Sequence, residues 1–297
     1  MLDEFKNAFS RPHNSHVQLI LINVAVFVAL AIIMVVFKWS GLESLFLTIH
    51  NQFSLPSDFT EFITRPWTII TYFFTHDLRG IMHILFNMLA LYWFGKLLVT
   101  YLGSDKVVAV YVLGGLAGGV VYLLVYNLIP NPPDFLSGRA ELVGASAAVF
   151  AVMVAAATLL PDYTFFLLFF GPVKIKWIAM IYIFLSILGS VGQNAGGEIA
   201  HLGGALIGFV YVKQLQVGVN WGGWITALLG WISGLFKPSP KVKVTYRKEE
   251  PARRSRSASP SSVSQQEIDA ILDKISEGGY ESLSKEEREK LFKASKK

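Results

Sequence analysis

Long apolar runs, separated by short polar stretches, constrain this chain more than any other feature of its sequence. A run near 20 residues with few charges matches the thickness of a bilayer core, whereas a soluble domain of this length needs more polar surface. Runs at 17–37, 80–100, 106–126, 143–160, 173–190 and 198–215 predict six membrane spans. Composition agrees, with 53% hydrophobic and 16% charged residues. The first run lacks a small-x-small cleavage signal and is followed by others, so it reads as a retained span rather than a signal sequence. The stretch 221–236 is apolar and carries Trp221, Trp224 and Trp231, which suits an interfacial segment better than a seventh span.

Charge sets the expected orientation. Lys96 and Lys106 flank one turn, Lys174 and Lys176 flank another, and 15 of the 26 Lys and Arg residues follow Phe236. These sides are expected in the cytoplasm, together with both termini, while Lys38, Arg65, Arg79 and Arg139 belong on or near the opposite side. The long first outer loop, with Leu42, Leu45, Phe46, Leu47, Leu55, Phe59 and Phe62, is expected to lie partly in the outer interface.

Beyond the membrane region, 237–264 is rich in Lys, Arg, Ser and Pro, a composition that predicts a disordered linker. Basic residues at this position attract anionic lipid and fix topology, and nucleic acid is not expected as a partner. Past it, Ser264 with Glu267 and Ser284 with Glu287 match the capping-box spacing of two short helices. Ile268, Ile271, Leu272 and Ile275 mark the apolar face of the first, Gly278 and Gly279 should end it, and Leu291 and Phe292 lie on the second. The chain thus divides into a membrane core at 1–220, an interfacial segment at 221–236, a linker at 237–264 and a helical element at 265–297.

Four polar residues fall where lipid would otherwise be: His83, Asn87, Ser146 and His201. Polar groups at such depth are costly and mark functional sites. Their three spans run from outside to inside, and each residue lies in the first turns of its span, so the four share the outer third of the bilayer. A lone serine bonds its own backbone readily, and a lone histidine is often a packing residue, but agreement in depth among four is harder to reach by accident. A neutral His201 can take a proton from Ser146, and His83 and Asn87, one turn apart, present two donors on one face. The backbone N–H of Ser146, near a helix start, adds a third donor with the positive end of the helix dipole behind it. No acid is evident to orient His201, so the sequence proposes a dyad. Gly204 and Gly208 follow His201 as a side-chain-free stripe, matched by Gly144, Ala148, Ala151 and Ala155 near Ser146 and by Gly114, Gly115, Gly118 and Gly119 one span earlier.

The combination of His83-Ile84-Leu85-Phe86-Asn87, Gly144-Ala145-Ser146 and His201 with Gly204 and Gly208 resembles the rhomboid family of intramembrane serine proteases. The resemblance covers about residues 16 to 215 and is strengthened by Arg65-Pro66-Trp67, by 71–76 and by the tandem glycines. It implies an all-α membrane protein with a six-transmembrane-helix bundle and a water-filled cavity opening outward. It implies as substrate a single-span or multi-span membrane protein that enters laterally. It implies Ser146 as nucleophile, His201 as base, and His83 with Asn87 holding the oxyanion. Cofactors and metals are not expected. The tail from about 265 to 297 resembles an element that follows the core in rhomboids of Bacteroidetes-type bacteria, which implies a bacterial cytoplasmic (inner) membrane. Departures are Ala147 where the family commonly has glycine, Phe150 where it commonly has a tyrosine stacked on the histidine, and Trp67-Thr68 where a tryptophan-arginine pair is common. The main alternative is a non-catalytic rhomboid-like protein that binds membrane clients. A transporter fits less well because the four residues are not at the midplane. A metalloprotease fits poorly because His-Glu-x-x-His is absent and no acid is evident as third ligand.

Overall fold

The computed structural model describes residues 2–9, 14–78, 80–130, 132–138, 140–167, 169–236 and 265–295. The linker expected at 237–264, including Ser264 of the first capping box, lies outside the described residues, as do Arg79 and Arg139. The chain forms two compact units, one within 1–237 and the other within 238–297.

In the first unit, a short α1 (Leu2–Lys6) precedes α2 (Ser15–Trp39). The outer loop carries α3 (Glu43–Asn51), α4 (Phe59–Thr64) and α5 (Thr68–Thr71). Then follow α6 (Ile81–Leu102), α7 (Ser104–Leu128), α8 (Ser146–Leu159), α9 (Ile175–Gly189), α10 (Ala195–Gln216) and α11 (Gly223–Phe236). The helices α2, α6, α7 and α10 are long and apolar enough to cross a membrane, and α8, α9 and α11 are shorter apolar helices. The protein is a multi-pass membrane protein with an all-helical bundle. Two of the six expected spans are therefore short, at 14 and 15 residues. The 14 residues of α11 form a helix that rises only about 21 Å.

The bundle is organised around α8, of whose 14 residues 11 are buried. It packs against α6, α7, α9 and α10. Its alanines permit this, and the facing glycines require it. A Cβ on Gly204 would overlap the Ala147 carbonyl, and one on Gly208 would overlap that of Ala151, so the backbones of α10 and α8 meet directly. By contrast α9 exposes Trp177, Met180, Ile181, Phe184, Leu185, Ile187 and Leu188 and buries only Ile175, Ala179 and Ser186, the pattern of a helix with most of its surface toward lipid.

Two small antiparallel sheets were not foreseen. β1 (Leu55–Pro56) pairs with β2 (Glu141–Leu142), tying the outer loop to the entrance of α8. β3 (Thr164–Leu167) and β4 (Gly171–Lys174) form a hairpin between α8 and α9, closed at its base by Asp162 bonded to Lys174 at 2.9 Å and Lys176 at 2.8 Å. In the outer loop, Leu42, Leu45, Leu47 and Phe59 are exposed while Phe46 and Leu55 are buried. Arg65, itself 5% exposed, bonds the Asn51 carbonyl, Glu61 at 2.7 Å and Glu141 at 2.6 Å, and so anchors the loop. Trp67 Nε1 donates to the Gln52 carbonyl at 2.9 Å.

The second unit contains α12 (Gln265–Gly278) and α13 (Lys285–Ser295). Gly279, at φ 73°, ends the first helix as its position suggested. The second capping box forms in both directions: the Ser284 N–H donates to Glu287 Oε2 at 2.7 Å, and the Glu287 N–H to Ser284 Oγ at 3.3 Å. Ile271 and Leu283 are buried, and Lys274–Glu287 and Lys290–Glu267 ion pairs tie the helices together.

Candidate active site

The approach to α8 is built before α8 begins. Tyr72, fully enclosed, donates to the Gly115 carbonyl at 2.6 Å and accepts the Gly144 N–H on its own carbonyl at 3.0 Å. Gly144 has φ +124°, and a Cβ there would lie 2.9 Å from His83 Cε1, so only glycine fits on both counts. His76, wholly buried, accepts the Ala145 N–H on Nε2 at 3.4 Å and meets His83 edge to face with centroids 5.7 Å apart. The sequence offered His76 only as part of a motif. Its place beneath the Gly144-Ala145 turn makes it a residue that positions the turn.

Ser146 is the first residue of α8, where backbone N–H groups have no acceptor within the helix. His83, Ser146 and His201 line one cavity of about 410 Å³, together with Glu141, Asn194 and Gly197. Burial raises the carboxyl of Glu141 above its usual range, against the pull of Arg65. A neighbouring cavity of about 280 Å³ is lined by His83, Asn87, Ser146, Phe150, Tyr182 and His201. All four polar residues singled out in the sequence thus border one space, brought there by α6, α8 and α10. The Asn87 amide donates to the His83 carbonyl at 2.9 Å, which fixes its rotamer and leaves its second hydrogen for another acceptor. The supporting residues lie beside them. Phe150 stacks on His201 at 4.3 Å and 13°, and Gly204 and Gly208 admit the α8 backbone.

The absence of an acid beside His201 needs correction. Glu198 Oε2 lies 3.1 Å from His201 Nδ1, and Ser186 Oγ, reaching over from α9, lies 3.2 Å from the same nitrogen. Glu198 opens the apolar run 198–215, where a charge marks the end of a span. The i,i+3 spacing to His201 was the available signal. Among the described residues no group of three His, Asp or Glu is placed to hold a metal ion.

A third cavity, of about 320 Å³, lies between α6, α9 and the β3–β4 hairpin, lined by Phe86, Trp93, Phe94, Phe165, Ile178 and Tyr182 among others. It shares Phe86, Ala90, Phe94 and Tyr182 with the 280 Å³ cavity, so the two apolar cavities adjoin, one at the α6–α9 surface and the other reaching Ser146.

Comparison with known proteins agrees with this architecture. Residues 64–216 match the Rhomboid domain, and residues 262–297 match a family of unknown function (DUF6576). "RHOMBOID-like protein 12, mitochondrial" of Arabidopsis thaliana is 33% identical over 162 residues, 52% of this chain and 48% of that protein. "Rhomboid protein 1, mitochondrial" of Saccharomyces cerevisiae is 30% identical over 160 residues, 51% and 42%. "Putative rhomboid protease YdcA" of Bacillus subtilis is 28% identical over 158 residues, 50% and 69%. The chain spans about half the length of the first two. With a Rhomboid domain matched over more than half of its length, on a helical membrane bundle, the chain belongs to the rhomboid family.

Proposed function

We propose that this protein is an intramembrane serine endopeptidase that hydrolyses peptide bonds in or near the transmembrane segments of other membrane proteins. The observation that carries the reading is the shared border of His83, Asn87, Ser146 and His201 on one cavity, which adjoins an apolar cavity at the α6–α9 surface. Ser146 Oγ attacks the scissile carbonyl while His201 Nε2 takes its proton, because Nδ1 is engaged by Glu198 and Ser186. The Ser146 N–H, His83 and the second Asn87 hydrogen supply the donors that strengthen as the carbonyl becomes an oxyanion. His201 then returns the proton to the leaving amine, and water repeats the sequence on the acyl-enzyme. A substrate segment, from a single-span or multi-span protein, enters between α6 and α9. Gly144, Phe150, Gly204 and Gly208 support the site without touching the reacting atoms.

The positive charge on the α6–α7 and α8–α9 turns and on the tail favours a cytoplasmic place for both termini. We assign the protein to a bacterial cytoplasmic membrane, with anionic lipid near the basic segment 237–264.

The test is cleavage by purified protein of a panel of single-span substrates with small and helix-breaking residues near their outer ends. Ser146→Ala should abolish turnover, and His201→Ala should nearly do so. A fluorophosphonate should label wild-type Ser146 and not Ser146→Ala. Cleavage by Ser146→Ala at the wild-type rate, free of host proteases, would move the function to other residues.

A further inference from the structure

We infer that Glu198 is the carboxylate that orients His201, so that the site is a Ser146–His201–Glu198 triad in place of a dyad. The inference rests on the serine peptidase reading above and concerns a positioning residue, since Glu198 acts through His201.

Geometry comes first. Glu198 and His201 stand at i,i+3 on the first turns of α10, which puts their side chains on one face, and the Oε2–Nδ1 separation is 3.1 Å. Both are mostly enclosed, with side chains 24% and 13% exposed. Space for the carboxylate is made by the neighbouring helix. A Cβ on Gly189, the last residue of α9, would lie 2.9 Å from Glu198 Cγ and 3.1 Å from Cδ.

Chemistry then distinguishes Glu198 from the other partner of the same nitrogen. Ser186 is 2% exposed, a buried polar group on a helix whose surface is otherwise mostly lipid-facing, and its hydroxyl lies 3.2 Å from His201 Nδ1. A hydroxyl both donates and accepts, so Ser186 alone is compatible with either tautomer of the imidazole. Donation from Ser186 to Nδ1 would put the ring proton on Nε2 and leave His201 unable to accept from Ser146. An ionised carboxylate only accepts. Glu198 therefore requires the proton on Nδ1 and leaves the Nε2 lone pair for Ser146, and with that proton in place the Ser186 hydroxyl faces Nδ1 as an acceptor. When His201 becomes cationic during acyl transfer, the same carboxylate faces the new charge. Phe150 below and Glu198 at the edge together fix the plane and the rotation of the ring.

Two measurements on the full-length protein in detergent test this. In the first, ¹⁵N-histidine NMR of the wild type reads the tautomer of neutral His201, assigned by the resonance lost in His201→Gln. The proton is expected on Nδ1, and a proton on Nε2 would overturn the inference without any variant of Glu198 having to fold. In the second, Glu198→Gln, whose amide can donate to Nδ1, is expected to lower kcat roughly 10- to 1,000-fold with KM and Tm near wild type, since an amide in place of a triad acid admits the wrong tautomer. Glu198→Asp should recover part of the loss. Glu198→Gln turning over at the wild-type rate while Ser146→Ala is inert would reject the triad and leave the peptidase intact. Activity in Ser146→Ala would instead remove the reading on which the triad rests.

Discussion

The rings of Phe150 and His201 lie 4.3 Å apart and 13° from parallel, with Phe150 one helical turn beyond Ser146 on α8. The helix that carries the proposed nucleophile thus also carries the platform on which the proposed base rests. A hydroxyl on that ring is not needed for the contact.

Replacing this platform should slow the chemistry more than it weakens binding. Phe150→Leu, which keeps most of the volume but loses the stacked face, is expected to reduce kcat about 2- to 10-fold, matching a stacking contribution of about 0.5–1.5 kcal/mol. Phe150→Tyr should stay within about twofold of wild type by the same reasoning. Steady-state kinetics on a single-span substrate separates the two.

Asn87→Ala removes one of the proposed oxyanion donors while leaving the His83 backbone in its helix. A loss of about 100- to 1,000-fold in kcat, roughly 2.7–4 kcal/mol, is expected, with KM little changed. A rise in KM at constant kcat would make Asn87 a recognition residue.

The direct contact of α10 with α8 predicts a steep cost for one methyl group. Gly204→Ala would press its Cβ on the Ala147 carbonyl, next to the nucleophile, and should destabilise the protein by about 1–3 kcal/mol or more. Gly234→Ala on α11, where a Cβ meets nothing within 4 Å, should change stability by no more than about 0.5–1 kcal/mol. Thermal unfolding in detergent compares them.

In the C-terminal unit, the Ser284 N–H, with help from Lys274, holds the Glu287 carboxyl down to about 2, against an ordinary value of 4.5. A depressed carboxylate stabilises the fold above its ordinary range, and the contribution is lost as pH falls through about 2. Helix content of segment 262–297, read by circular dichroism, should therefore hold down to about pH 4 and drop between there and pH 2. Glu287→Gln should lower helicity at neutral pH and flatten that step.

Much of this architecture could be read from the chain because it depends on local pattern. The apolar runs set α2, α6, α7 and α10, the Ser284–Glu287 spacing set a cap that forms in both directions, and Gly204 and Gly208 marked a close approach. What escaped was held by distant partners. The β3–β4 hairpin begins in an unbroken apolar run, 165–170, with no alternation to betray it, and its closing residue, Asp162, finds Lys174 and Lys176 only after the turn. Glu198 looked like a boundary charge until Ser186, 15 residues before His201 on another helix, came to rest against the same imidazole. His76 needed the fold to bring Ala145 within reach, 69 residues on.

For the proposed peptidase, the shortness of α8 has a consequence for substrate selection. Fourteen residues rise about 21 Å, some 9 Å less than the roughly 30 Å hydrocarbon core. Just beyond its far end, the Asp162–Lys174–Lys176 cluster belongs at the water boundary, so the deficit falls at Ser146. In the proposed peptidase the helix would then work as a ruler: the scissile bond would be set by its distance below the surface, and unrelated sequences that unwind at that depth would become equivalent.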